Sequence, residues 1–107
     1  YPPYNIIQEE ENFQIEMAVA GVSMEDLDIE VADGTLTISY TPQEVEVPKY
    51  TYVHKGIAQR KFERKFTLAD DVIVKGAQME NGMLYIELER IIPDEKKPRK
   101  IEIEYVK

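Results

Sequence analysis

Hydrophobic residues fall at every second position along most of this chain. Phe13, Ile15, Met17 and Val19 form one run, Leu27, Ile29 and Val31 a second, and Leu36, Ile38 and Tyr40 a third. Phe62, Phe66 and Leu68 share one parity, and Leu84, Ile86 and Leu88 close the series. A period of two belongs to strands with one buried and one solvated face. The breaks carry turn chemistry: Ala20-Gly21 leading into Ser23, Asp33-Gly34, and Asn81-Gly82. The last two dipeptides tolerate positive φ and predict two-residue hairpins. No segment sustains an i, i+3, i+4, i+7 apolar pattern, and Ser23-Met24-Glu25-Asp26 predicts at most a single helical turn. The expectation is an all-β fold, an immunoglobulin-like β-sandwich of two antiparallel sheets.

Two segments stand outside this pattern. Residues 41–59 join the Tyr40 run to the Phe62 run and contain Pro42, Pro48 and Gly56. Connections of this length in small domains tend to be functional or disordered. Inside lies a short β-prone run, Tyr50-Thr51-Tyr52-Val53, which predicts an arm pairing away from the body of the domain. The second segment is the end of the chain, where Pro93-Asp94-Glu95-Lys96-Lys97-Pro98 tethers Ile101-Glu102-Ile103. Alternation puts Ile101 and Ile103 on one face and the glutamates on the other. Residues 1–92 are therefore expected to form the domain and residues 93–107 an extension. The isoleucines either make a last strand of the same domain or dock into a groove elsewhere, most naturally on another copy. Two prolines and four charges in the tether argue for docking. Full burial of two isoleucines is worth roughly 3–6 kcal/mol before association costs. One such contact is then weak, ~mM or poorer, and exchangeable. Many in one particle gain by multivalency.

Arg64 is in register with Phe62, Phe66 and Leu68 and so falls on an apolar face. Two placements are open to it. A bulge or an edge strand lets the guanidinium reach water; alternatively it is buried at an interface and paired with a carboxylate, in which case losing the partner typically costs ~3–5 kcal/mol.

Length and composition narrow the function. A chain of 107 residues is one domain with a modest core. There are no cysteines, which removes disulfides and thiolate metal sites. No run of 18 apolar residues occurs, so no membrane-spanning helix is expected. The net charge of −8 is uneven. Residues 1–49 contain 11 acidic side chains and one base, Lys49, whereas residues 50–107 contain 12 basic and 10 acidic ones. The acidic half argues against nucleic acid as a partner, since phosphate binding needs a basic face. The cluster Arg60-Lys61-Phe62-Glu63-Arg64-Lys65 reads as a strand with solvated lysines. Glu9-Glu10-Glu11, Glu25-Asp26 and Asp70-Asp71 sit at turns and strand ends and read as solvated charge. His54 is the one histidine, and without a second histidine or a cysteine it makes a poor zinc site. No nucleophile triad and no phosphate-cradling glycine loop is present. No catalytic chemistry and no cofactor is expected.

Four segments together resemble the α-crystallin domain of small heat-shock proteins, over about residues 3–103. Ala18-Val19-Ala20-Gly21-Val22 with Glu25-Asp26-Leu27 is similar to the family's turn into its fourth strand. Arg60-Lys61-Phe62-Glu63-Arg64-Lys65-Phe66-Thr67-Leu68 resembles its signature strand, with Arg64 at the conspicuous arginine. Ala77-Gln78-Met79-Glu80-Asn81-Gly82-Met83-Leu84, followed by Ile86 and Pro93, resembles its A-x-x-x-N-G-V-L … P hairpin. Ile101-Glu102-Ile103 falls at its Ile-x-Ile anchor. Tyr1-Pro2-Pro3-Tyr4-Asn5-Ile6, Gly56-Ile57-Ala58-Gln59-Arg60 and the stretch from Ile92-Pro93 to Lys97-Pro98-Arg99 are closer still to the bacterial inclusion-body-binding subgroup. Ala20 and Ala69 stand where the family usually has proline, and Met83 where it has valine.

The resemblance implies an ATP-independent, cytoplasmic holdase that binds partly unfolded proteins. It would assemble from homodimers into larger exchanging oligomers and hand its clients to ATP-dependent chaperones. The loop run with Tyr50, Tyr52 and Val53 would pair with the partner's sheet, and Arg64 would order that dimer interface. Ile101 and Ile103 would fill a groove between the family's fourth and eighth strands, here lined by Leu27, Ile29 and Val31 on one side and Val74, Ala77 and Met79 on the other. The same groove would serve clients. The alternative of a different class is a monomeric co-chaperone or adaptor of the CS-domain type, which needs neither tail nor arm.

Overall fold

The computed structural model describes residues 1–43, 47–91 and 98–106. Within them the chain forms seven strands: β1 (Tyr4–Glu9), β2 (Asn12–Ala18), β3 (Leu27–Ala32), β4 (Thr35–Tyr40), β5 (Phe62–Thr67), β6 (Val72–Glu80) and β7 (Met83–Arg90). They make two sheets, in the orders β1-β2-β7-β6 and β3-β4-β5, with every pairing antiparallel. A single 3₁₀ turn covers Met24–Asp26.

The two hairpins expected at Asp-Gly and Asn-Gly are present. Asp33 and Gly34 have φ of 51° and 73°, and Asn81 and Gly82 have 51° and 76°. Two successive positive φ values define the primed turn whose twist matches antiparallel strands. The β1–β2 turn is made without glycine, by Glu10 at φ 55° beside Glu11, with both side chains in water.

The core lies where the central strands of the two sheets face each other. β2 and its continuation bring Ile15, Met17 and Val19, β7 brings Leu84, Ile86 and Leu88, and β4 brings Leu36, Ile38 and Tyr40; Phe62 of β5 completes the buried set. Register places Ile15 opposite Ile86 and Met17 opposite Leu84 within one sheet. In the other, Leu27, Ile29 and Val31 of β3 lie opposite Tyr40, Ile38 and Leu36. Each fully buried aliphatic side chain of this kind contributes roughly 1.5–3 kcal/mol over its exposed state.

Two strands escape the plain period-two pattern. β1 contains adjacent Ile6 and Ile7, and every residue of it is exposed because it is an edge strand. β6 contains a bulge between Val74 and Gly76. The extra residue, Lys75, shifts parity, so that Val74 lies opposite Leu88 while Ala77 and Met79 lie opposite Ile86 and Leu84. All three therefore share the inward face although their numbers do not alternate.

The strand expected within residues 50–53 is not formed. Tyr50, Tyr52 and Val53 are exposed and in no strand. A strand exists only against a partner edge, and a single chain brings none to this loop. The two tyrosine rings stack edge-on at 5.4 Å instead. The part of the tether at residues 92–97 lies outside the described residues.

Aromatic contacts fix how the sheets are superposed. Tyr4 meets Phe66 edge-on at 5.2 Å and Tyr1 meets Phe62 at 5.9 Å. These place β1 over β5, so at the opposite side of the sandwich β6 lies over β3. Following the antiparallel registers across each sheet, β3 and β6 run in opposite directions. The Leu27 end of β3 therefore points the same way as the Met79 end of β6.

Candidate functional site: two open edges and an exposed tail

The first open edge is formed by β3 and β6, each the last strand of its sheet. Leu27, Ile29, Val74 and Met79 are half-buried and pack on the core from its margin. Ala77 is exposed and Val31 is 50% exposed. The resemblance singled out these six residues, and the fold brings them to one side of the sandwich on facing margins. The row is apolar, borders the core, and keeps one free backbone edge in each sheet.

The second open edge is formed by β1 and β5. Arg64 continues the β4–β5 register without a bulge, directly opposite the fully buried Ile38. Its side chain is thus held on the inward face, as its parity indicated. β5 is an edge strand and Arg64 is half-buried there, with its Cζ 4.8 Å from the centre of the Tyr4 ring. Its Nε is buried and has no hydrogen-bond partner among the described residues. The three ion pairs among these residues are Lys65–Glu63, Lys75–Glu89 and Arg90–Asp71, so the carboxylate partner imagined for Arg64 is not found within the described chain. A buried donor left unpaired costs about 1–3 kcal/mol. Around it Tyr4, Ile6 and Phe66 leave apolar surface in the open, with Ile6 56% exposed.

Sequence reasoning missed the residues that close the end of the sandwich. Pro2 is buried, Tyr1 caps Phe62, and the Arg60 guanidinium lies 5.4 Å over the Tyr1 ring. The Ala18 amide donates to the Pro3 carbonyl at 3.1 Å. Gln59 fastens the end of the long loop: its Nε2 donates to the Gly21 carbonyl at 2.9 Å, and its Oε1 accepts from the Tyr40 hydroxyl at 3.3 Å. Burial, assisted by the nearby Asp26 and Tyr1, raises the Tyr40 pKa and keeps that hydroxyl a donor. Periodicity carries no signal for such contacts, because they join segments outside the strands.

The tail does not pack on the body. Ile101 is 77% exposed and Ile103 93% exposed, and residues 98–106 contain no strand. The tail thus leaves two isoleucines in water, and the body leaves an apolar margin open at β3 and β6. Among the described residues no group of three or more His, Asp or Glu side chains is placed to hold a metal, and no helix is long and apolar enough to cross a membrane.

Residues 5–104 match the Hsp20/alpha crystallin family. The chain belongs to that family. It is 47% identical over 104 residues to the small heat shock protein IbpA of Escherichia coli, a match covering 96% of this chain and 75% of the relative. Solved structures agree with the fold. A small heat shock protein from Synechococcus phage S-ShM2 superposes with a TM-score of 0.75 at 37% identity, covering 87% of this chain and 98% of that one. The small heat shock protein AgsA from Salmonella typhimurium, truncated at its C-terminus, superposes with a TM-score of 0.79 at 31% identity, covering 96% and 99%. The two-sheet sandwich is therefore an α-crystallin domain, and the chain is a small heat shock protein with a chaperone's role. In this small heat shock protein Arg64 of β5 is in contact with Tyr4 of β1.

Proposed function

We propose that this small heat shock protein is a non-catalytic, ATP-independent holdase of the cytoplasm, built from homodimers that join through their tails. The observation carrying the reading is that Ile101 and Ile103 are exposed while the β3/β6 margin, with Leu27, Ile29, Val31, Val74, Ala77 and Met79, is open. An apolar margin with free backbone edges is an aggregation hazard if nothing covers it. The tail of another subunit covers it, by a contact weak enough to exchange. Heat, or a partly unfolded client, shifts the balance and uncovers apolar surface, which then holds the client's exposed hydrophobic segments. The acidic remainder of the surface keeps the complex soluble until energy-using chaperones take the client.

The dimer forms at the other margin. The arm with Tyr50, Tyr52 and Val53 adds to the free edge of β1 in the partner, and the partner supplies the acceptor that Arg64 Nε lacks. That arm becomes a strand only on pairing, which fits its strandless state in a single chain. A monomeric adaptor of the CS-domain type would leave the exposed isoleucines and the unpaired arginine without use.

The test is the light scattering of a heat-unfolding enzyme with this chain present and nucleotide absent. Suppression of scattering near a one-to-one subunit ratio supports the reading. Unchanged scattering at a large excess of the chain contradicts it.

A further inference from the structure

We propose that Gln59 is a positioning residue that pins the root of the arm to its own body, so that only residues 42–58 cross to the partner and a closed dimer is slow to open. This rests on the arm reading above and adds to it the residue that governs exchange.

β4 ends at Tyr40 and β5 begins at Phe62, and the two lie opposite each other in register. Both limbs of the arm therefore start from one place on the body. The departing limb is fixed at once, where the Thr41 amide donates to the Asp26 carbonyl at 3.2 Å. The returning limb is fixed by Gln59, which donates to the Gly21 carbonyl at 2.9 Å and accepts from the Tyr40 hydroxyl at 3.3 Å. Its neighbour Arg60 rests on the Tyr1 ring. Between these points the polar and aromatic contacts of the arm are internal. Tyr50 meets Tyr52, and Lys55 lies 5.1 Å over the Tyr52 ring. The open space inside the arm is lined, among the described residues, only by residues between Pro42 and Gln59. No hydrogen bond runs from the described part of residues 42–58 to the body.

A carboxamide carries a donor and an acceptor on one planar group. One side chain can thus tie the turn at Gly21 and the end of β4 to the returning limb. Gln59 is exposed, so its bonds add little to the stability of the body. Their effect is on reach. With Gln59 pinned, the tether behind the docked run Tyr50–Val53 covers residues 54–58; without it, the tether extends to residue 61. Effective concentration falls as about the −3/2 power of tether length, here roughly twofold. An arm that lets go is then recaptured more slowly, and the dimer comes apart sooner.

Two readouts on the full chain test this, with Gln59→Met, which keeps the length of the side chain and removes both bonds. The first is trypsin cleavage in dilute solution, because the arm and its root carry Lys49, Lys55, Arg60 and Lys61. The second is subunit exchange between unlabelled and nitrogen-15-labelled chains, followed as mixed dimers by native mass spectrometry. The expected result is faster cleavage at Arg60 in the variant, exchange faster by about twofold or more, and an unchanged thermal midpoint. Unchanged cleavage at Arg60 overturns the pin. Faster cleavage with unchanged or slower exchange overturns its role in the dimer. Faster exchange with a lowered thermal midpoint makes Gln59 an ordinary structural residue and also overturns the proposal. In these three cases the dimer itself stands. A parent chain without dimers overturns the dimer reading, and the proposal with it.

Discussion

The guanidinium of Arg64 rests on the ring of Tyr4 at 4.8 Å, bridging the two sheets at the margin where β1 overlies β5. A cation on an aromatic face is worth about 0.5–1 kcal/mol at exposed sites and ~2 when desolvated. Against this stands the buried Nε, which has no partner among the described residues. Within one chain the two effects nearly offset, so this residue's value is expected to lie in what a second chain brings.

Arg64→Ala is therefore expected to weaken the dimer by about 1–3 kcal/mol, the cost of a lost charged hydrogen bond, and to lower stability through lost packing. Arg64→Leu removes the unpaired donor and leaves the monomer as stable as before, but still weakens the dimer. Arg64→Lys does not restore it, because an ammonium cannot stack flat on Tyr4. Sedimentation across a dilution series checks all three. Dimerisation and stability unchanged in Arg64→Ala would remove Arg64 from the interface.

Core packing gives a second expectation. Ile86 is fully buried between Ile15 and Ala77 in the register of its sheet. Ile86→Val is expected to cost ~0.5–1.5 kcal/mol and Ile86→Ala ~2–5 kcal/mol, read from urea midpoints. Equal small losses in both would mean that the core collapses around the cavity.

The glycine of the β6–β7 turn offers a third. Gly82 has φ of 76°, and a Cβ there would lie 3.3 Å from that of Ala20. Gly21 has φ of 82° but nothing within 4 Å of a Cβ. Gly21→Ala thus meets only the backbone cost of about 1–2 kcal/mol, and Gly82→Ala meets that cost plus crowding. Thermal unfolding is expected to rank Gly82→Ala below Gly21→Ala, and the opposite rank contradicts the turn geometry.

Tyr40 predicts the alkaline limit. Burial raises its pKa in the folded state above the ordinary value of 10.0. The unfolded chain then loses this proton first, so stability is intact below about pH 10 and falls as pH rises through the folded pKa. Tyr40→Phe is expected to flatten that fall at the modest cost of the hydroxyl's bond to Gln59. Urea midpoints between pH 8 and pH 11 measure it, and identical slopes would assign the alkaline loss to other groups.

The parts of this fold that alternate cleanly were legible from the chain alone. β2, β4 and β7 are central strands with one face on the core, and both primed turns carry dipeptides that tolerate positive φ. β1 was hidden because an edge strand buries little and so has no need to alternate, as adjacent Ile6 and Ile7 attest. β6 was hidden by the bulge at Lys75, which changes parity halfway along. The same bulge gathers Val74, Ala77 and Met79 on one face. The run at residues 50–53 has strand composition without a strand, since composition cannot supply a partner edge. Arg64 was legible as an anomaly, but its contact with Tyr4 depends on how the sheets superpose, which no local pattern records.

The central claim is that the tail joins one dimer to another through Ile101 and Ile103. The most direct measurement is light-scattering mass after size exclusion, for this chain and for the Ile101→Glu, Ile103→Glu double variant. The account expects the parent chain to exceed a dimer and the variant to fall back to one. A parent chain that runs as a monomer, or a double variant with the parent's mass, contradicts it.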